Sequence, residues 1–333
     1  MAKKTIALIA GGDTGEYVIS IQSAQMIENN LDPALFEVYT IVIRFGKWVY
    51  TDSHGQEVPV DRNDFSICVD GQKILFDCAF ITIHGTPGED GKLQAYFELL
   101  GIPYTTAGVL ASALTFNKYY CNRVVAEAGF TVPKAVRLTR NNPYFTDTIL
   151  QSVNLPVFVK PNEGGSSLGM SFVKEKAVLR DAIERAFEHD DAVMVEEFID
   201  GTELTCGAYR KKGAVKVLPV TEIISKTEAD FFDYEAKYTK GAADEITPAH
   251  ITDELKDKVQ NQSALLYEQL NLSGLVRFDF IHRHDQLYFL EVNVTPGMTP
   301  TSLVPQQAAV AGISNTDLFT IMIEEALAEG GEQ

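Results

Sequence analysis

Apolar runs and helical spacings alternate along the first third of the chain. Residues 5–10 (TIALIA) form a nearly unbroken apolar run that stops at Gly11-Gly12. That is the pattern of a strand buried on both faces of a parallel sheet and followed by a tight turn. Residues 19–29 repeat at helical spacing, with Ser20 placed to cap the start. The β-branched stretch 38–43 predicts a second strand, and 79–83 a third, ending at His84-Gly85. Between them, 45–78 is polar and turn-rich, as an insertion or a hairpin region would be. A helix is expected over 92–100, which completes what resembles a doubly wound unit.

Further on the pattern changes. One helix is expected over 111–128, closed by Gly129. A strand at 157–160, a Gly/Ser-rich turn at 164–169, a strand at 170–173, a helix at 177–189 and a strand at 192–198 follow. The last third predicts strands at 203–210, 214–220, 274–282 and 287–294, and helices at 253–270, 302–311 and 316–328. The polar stretch 224–251 has the length of a lid, a binding loop or a disordered segment. The fold class is therefore α/β or α+β.

Composition removes other classes. The chain has 333 residues, 45% hydrophobic and 22% charged, ordinary for a globular protein and enough for about two domains by length alone. With 28 Lys+Arg against 46 Asp+Glu the net charge is −18, a field that repels nucleic acid and anionic lipid. Neither nucleic acid nor membrane is expected as a partner. No apolar run approaches the roughly 20 residues of a membrane span. The N-terminal apolar run is short and reads as a strand, not a signal peptide. The four cysteines, Cys68, Cys78, Cys121 and Cys206, are scattered, which fits reduced thiols in a cytoplasmic protein.

Two motifs point to chemistry. Gly164–Gly169 (GGSSLG) lies between two expected strands, with Lys160 on the strand before it. Such a turn can converge backbone N–H groups on phosphate oxygens, although taken alone a Gly/Ser turn is more often a plain hairpin. It lacks the G-K-[ST] of a P-loop and the spacing of a dinucleotide fingerprint. The second motif is Arg277-Phe-Asp279 on one strand and Glu291-Val-Asn293 on the next. Residues two apart on a strand share a face, so a short turn near His284-Asp285 brings both polar sets side by side. Two carboxylates and an amide oxygen suit Mg2+, and the Arg suits a phosphoryl group or an oxyanion. A surface cross-strand ion pair of little weight is the competing reading. The apolar Val276, Phe278, Phe280, Leu290 and Val292 between them favour the metal.

Weaker signals accompany these. Glu196-Glu197 end a strand, with Glu203 seven positions after Glu196; such carboxylates can hydrogen-bond an adenine amino group and ribose hydroxyls, but exposed acids at a strand end are the better reading of these residues alone. His84-Gly-Thr-Pro-Gly-Glu-Asp-Gly links a strand to a helix that Asp90 is placed to cap. Thr295–Leu303 leads into a helix at Ser302, whose start can hold a carboxylate. His282 and His284, without a third ligand nearby, are weak evidence for zinc.

Together these segments resemble the D-alanine–D-alanine ligases of the ATP-grasp superfamily, nearly end to end. HGTPGEDGKLQA at 84–95, KPNEGGSSLGM at 160–170, FFDYEAKY at 231–238 and LEVNVTPGMTPTSLVP at 290–305 are similar to the family's signatures, in family order. The resemblance implies an ATP-grasp fold: an N-terminal Rossmann-like substrate domain (1–106) and two α+β subdomains (107–195 and 196–333) clamping ATP, with a mobile lid at about 225–250. It implies that Lys118, Lys160, Ser167 and Lys237 contact phosphates, that Glu196, Glu197 and Ile199 hold adenine, and that Glu203 holds ribose. Asp279, Glu291 and Asn293 would bind two Mg2+, with Mn2+ as a substitute. Glu16, with Ser166 and Tyr238, would bind the first D-alanine, and His84 belongs to the same substrate site. Arg277 and the Gly297 N–H would form the oxyanion site, and Ser302 with the Leu303 N–H would take the carboxylate of the second D-alanine. ATP-dependent formation of D-alanyl-D-alanine through an acyl phosphate, by a cytoplasmic homodimer, is what it implies. A D-alanine–D-lactate or other carboxylate–amine ligase and a catalytically silent nucleotide-binding regulator are the alternatives. Intact Arg277, Asp279, Glu291 and Asn293 argue against the regulator. The chain departs from the family pattern at Thr14, Tyr17, Phe278 and Val294.

Overall fold

The computed structural model describes residues 3–165, 168–225 and 243–330. Strands β1 (Lys4–Gly11) and β2 (Phe36–Arg44) run parallel, and β3 (Lys47–Thr51) and β4 (Glu57–Pro59) extend the sheet antiparallel from β2. After a small hairpin of β5 (Ile67–Val69) and β6 (Gln72–Ile74), β7 (Cys78–Ile81) pairs parallel with β1. The sheet order is β4-β3-β2-β1-β7. The turn-rich 45–78 stretch is thus hairpins, half of them part of the sheet.

The apolar run of β1 is explained by two cores. Ile6, Leu8 and Ala10 point into one, with α1 (Tyr17–Asn30), while Ala7 and Ile9 point into the other, with α2 (Lys92–Leu100). Ser20 lies inside α1 and does not cap it. Its Oγ accepts the Gly11 N–H at 2.9 Å, tying the helix to the turn that ends β1, and Glu16 holds the cap position.

The single helix expected over 111–128 is two, α3 (Val109–Phe116) and α4 (Lys118–Glu127). Asn117 breaks it: its backbone is extended, and its side chain accepts the Tyr120 N–H as the cap of α4. The second sheet contains β8 (Ala135–Thr139), β9 (Val157–Pro161), β10 (Ser171–Val173) and β11 (Ala192–Glu197), in the order β10-β9-β11-β8. Between its strands lie the short α5 (Thr146–Ile149) and α6 (Leu179–Phe187), the latter entered through a 3-10 turn at Lys176–Val178.

The third sheet is antiparallel. It holds β12 (Thr202–Lys211), β13 (Ala214–Val217), β14 (Thr221–Ser225) and β15 (Ala243–Ile246). After α7 (Asp253–Gln269) come β16 (Leu275–Arg283) and β17 (Gln286–Asn293). The strand expected over 214–220 stops at Val217, because the chain turns there from β13 to β14. One face of this sheet packs on α7 and also on α3 and α4, through Ala111, Cys121 and Val125. Helices α8 (Leu303–Val310) and α9 (Asn315–Gly330) return to the first sheet, where Phe319 packs edge-on against Phe80. Among the described residues no helix is long and apolar enough to cross a membrane. Cys78, Cys121 and Cys206 are buried and Cys68 is exposed, all of them free thiols.

Candidate active site

The polar face of the third sheet is built by strand alternation. In the β16–β17 register Arg277 faces Asn293 and Asp279 faces Glu291, with a bulge after Asp279. The alternate positions Val276, Phe278, Phe280 and Val292 are buried in the core. On the neighbouring β12, Gly207 faces Arg277, Thr205 faces Asp279, and Glu203 continues the same alternation. Arg277 forks onto Asp279, Nε to Oδ1 at 2.9 Å and Nη2 to Oδ2 at 2.7 Å. Burial opposes its charge, but Asp279, and behind it Glu291 and Glu203, hold the guanidinium above its ordinary value. Val294, a departure from the family pattern, is buried in the same core as Phe278.

Across the cleft, Lys118 opens α4 with its Nζ 3.6 Å from Glu291 Oε2 and donating to the Gly164 carbonyl. Glu89, Lys118, Gly164, Gly165, Glu291 and Asn293 line one cavity between the second and third sheets. Among the described residues no group of three His, Cys, Asp or Glu side chains is gathered for a metal. The donors are two carboxylates and one amide, and the Asn293 oxygen also accepts the Thr295 N–H at 3.0 Å. Such a sparse, all-oxygen set fits Mg2+ that shares its coordination with phosphate and water. The cations Arg277 and Lys118 occupy the neighbourhood of both carboxylates, as charge balance there requires.

At the other end of the cleft Lys160 Nζ donates to Glu196 Oε1 at 2.7 Å, in a pair almost withdrawn from water. Glu196 Oε2 is buried with no hydrogen-bond partner among the described residues. A buried acceptor left open this way matches an amino group such as that of adenine. Glu197 is engaged with Lys134, its N–H donating to the Lys134 carbonyl and its Oε1 accepting the Lys134 N–H at 2.8 Å. Ile199 is buried just beyond β11.

The third corner gathers Glu16, His84, Gly297 and Ser302. Thr14 donates from Oγ1 to the His84 carbonyl at 3.1 Å. Tyr17 carries the Arg44 guanidinium 4.0 Å above its ring. The Gly165 backbone lies directly against Glu16: a Cβ there would stand 2.8 Å from Glu16 Oε2. Gly297 is equally close to Ser302 Oγ, and the Met298 N–H is pinned to Ser23 of α1 at 3.0 Å. Ser302 precedes α8, but its Oγ accepts the Thr299 N–H instead of capping the helix. Burial drives the His84 imidazole below its ordinary value, partly offset by Glu16. Ser166, Ser167, Lys237 and Tyr238 lie outside the described residues, as does most of the expected lid; Ser225 and residues 243–250 flank it on paired strands and a turn.

The sequence reading missed Glu89. Its Oε2 accepts the Gly85 N–H at 2.6 Å and so holds the His84–Gly85 turn, while Asp90 receives the Lys92 N–H at 3.3 Å. A Glu four residues after a left-handed glycine was the available signal. Burial and the nearby Glu16 raise the Glu89 carboxyl from 4.5 to about 8, against the pull of the Gly85 N–H. A raised folded value means the native state holds the extra proton, so Glu89 costs stability progressively as pH rises from 4.5 to about 8. Glu89→Gln keeps an acceptor for Gly85 and removes the titration. The variant is expected to gain on wild type across that window, by on the order of a few kcal/mol at its upper end. Urea unfolding at pH 5 and pH 9 (about one unit outside the window's upper end) checks this. Parallel profiles would remove Glu89 as the titrating group.

Two antiparallel sheets closing on a cleft floored by acids and fringed by Lys118 and Lys160 constitute an ATP-grasp enzyme fold. The chain belongs to the D-alanine–D-alanine ligase family: the family's "D-ala D-ala ligase N-terminus" matches residues 5–107 and its "D-ala D-ala ligase C-terminus" residues 124–324. A D-alanine–D-alanine ligase of Flavobacterium johnsoniae is 48% identical over 325 residues, covering 98% of this chain and 100% of the relative. The solved D-alanyl-alanine synthetase A of Vibrio cholerae superposes with a TM-score of 0.88 at 31% identity, covering 98% of this chain and 99% of that one. The VanG D-Ala:D-Ser ligase of Enterococcus faecalis gives 0.87 at 34% identity, covering 98% and 100%.

Proposed function

We infer that this chain joins two molecules of D-alanine at the expense of ATP, giving D-alanyl-D-alanine, ADP and phosphate for peptidoglycan precursor synthesis. The observation that carries this is the face shared by Arg277, Asp279, Glu291 and Asn293, set against Lys118 and Gly164–Gly165 in a chain of this family.

In this reading ATP lies between the second and third sheets. Glu196 and the backbone at Glu197 and Ile199 receive adenine, and Glu203 the ribose. Lys118, Lys160, Ser167 and Lys237 hold the phosphates. Asp279, Glu291 and Asn293 hold two Mg2+, or Mn2+ in their place, which when bound neutralise the phosphates and polarise the γ-phosphoryl group. Glu16, in a set with Ser166 and Tyr238, binds the ammonium of the first D-alanine near His84. The carboxylate of that D-alanine attacks the γ-phosphorus and ADP leaves. The amine of the second D-alanine, whose carboxylate Ser302 and the Leu303 N–H hold, then attacks the acyl carbonyl, and phosphate leaves. Arg277 and the Gly297 N–H stabilise the oxyanion. Positioning and charge supply the rate, with little covalent work for the protein.

The units 1–106, 107–195 and 196–333, a homodimeric assembly and a cytoplasmic location complete the proposal. Phosphate release with ATP and Mg2+, screened across D-alanine, L-alanine, D-serine and D-alanine plus D-lactate, tests it. Release with D-alanine alone, and none with L-alanine, is expected. Tight nucleotide binding without D-alanine-dependent release would replace this reading with a regulator.

A further inference from the structure

Helix α8, which Ser302 and Leu303 begin, is held by a buried amide that the mechanism above does not use. Strand β13 pairs with β12 over Ala208 to Lys211, and β14 pairs with it over Glu203 to Thr205. Between them the ladder has a gap, at the position where Gly207 faces Arg277 on the other side. Gln307 fills this gap. Its Oε1 accepts the Gly207 N–H at 2.9 Å, and its Nε2 donates to the Thr205 carbonyl at 3.1 Å and to Thr221 Oγ1 at 3.0 Å. Gln307, Thr205 and Thr221 are fully buried. Only glycine permits the approach, since a Cβ at Gly207 would stand 2.9 Å from Gln307 Oε1.

Outside this network α8 is held by an exposed hydrogen bond from Gln306 to Glu245 at 3.2 Å and by apolar packing. Val304 and Ala308 pack into the apolar core with Leu218 and Met298, a contact that tolerates small rotations of the helix. Three hydrogen bonds from one fully satisfied amide do not tolerate them. They lock the helix to the strand position directly opposite Arg277. The same network reaches Thr247 through Thr221, 2.6 Å between the hydroxyls, and so ties α8 to the foot of the β14–β15 pair.

We propose that Gln307 is a positioning residue for the second D-alanine: by plugging the ladder gap opposite Arg277 it fixes where the Ser302–Leu303 turn meets the acceptor's carboxylate. This rests on the functional reading above. An unlocked helix leaves the ATP and first D-alanine sites in place and blurs only the acceptor site.

Gln307→Met preserves volume and removes all three bonds. It is expected to raise KM for the second D-alanine about tenfold or more, with KM for ATP and for the first D-alanine within about twofold of wild type. Thr221→Val removes one of the three Gln307 bonds together with the contact to Thr247, and is expected to give a smaller rise in the same constant, whereas Thr221→Ser restores wild-type values. If Gln307→Met does not fold, the Thr221→Val and Thr221→Ser pair decides alone. A uniform rise of all three KM values in step with lowered melting temperature, or an unchanged acceptor KM in an active background, overturns the role of Gln307. A wild type that releases no phosphate with D-alanine overturns the functional reading and this inference with it.

Discussion

Replacing Glu291 with alanine is expected to lower kcat by about a thousand-fold while the protein stays folded. The carboxylate sits on β17 directly across from Asp279 and beside Asn293 on the same face. Removing it takes away half of the acidic charge that Asp279 and Glu291 together offer a divalent cation, and Glu203, on the same face, pairs across from Ile281 and not from Asp279. The structural loss is small. Glu291 is one-third exposed and its ion pair with Lys118 spans 3.6 Å, so it contributes about 0–1 kcal/mol to stability. The two effects separate cleanly: phosphate release collapses and the melting temperature hardly moves. A variant that keeps more than about a tenth of the wild-type rate, about 1.4 kcal/mol of barrier or less, would mean that Glu291 holds no metal. Raising Mg2+ should recover part of the lost activity, because Asp279 and Asn293, the remaining proposed ligands, would still bind the ion, only more weakly.

How much of this was readable from the chain depended on how local the determining forces were. The face of β16 and β17 was legible because polar positions two apart alternate with apolar ones, and because the hairpin turn at His284 and Asp285 leaves little freedom of register. The run over 5–10 was legible for the same reason, since both faces of β1 are covered. Strand β8 was missed because it lies at the edge of its sheet and buries little more than Leu138. The four residues of α5 are too few to show a period. The break at Asn117 was hidden because a helical spacing runs through it. What ends α3 is the Asn117 side chain turning to the Tyr120 N–H, with the Lys118 N–H held by the Asn162 carbonyl far along the chain. Glu89 and Gln307 share that property. Each satisfies a backbone N–H, but the charges around Glu89 and the ladder gap at Gly207 exist only once distant strands have assembled.

Arg277→Lys is expected to cost about a hundredfold or more in kcat with little change in KM for ATP, although the charge is conserved. Lysine is the informative substitution because alanine confounds two effects. Arg277 and Asp279 form a two-pronged pair with side chains only 19% and 11% exposed. Removing the cation outright strands a buried carboxylate, at a cost of about 3–5 kcal/mol in stability. Lysine keeps a positive charge near Asp279 and so keeps the fold, but an ammonium cannot make the two parallel bonds that fix the guanidinium against Asp279. If the rate depends on charge alone, the lysine enzyme retains most of its activity. If it depends on a guanidinium aimed where the oxyanion develops, the loss falls on kcat, because the ground state never carries that charge. Steady-state phosphate release with ATP and D-alanine varied separately distinguishes the outcomes. A loss confined to KM for ATP would place Arg277 with the lysines proposed to hold the phosphates instead. The position of Arg277 favours the effect on kcat. It faces Asn293 across β17 and Gly207 across β12, so its direction is set on both sides by strand pairing before any substrate enters.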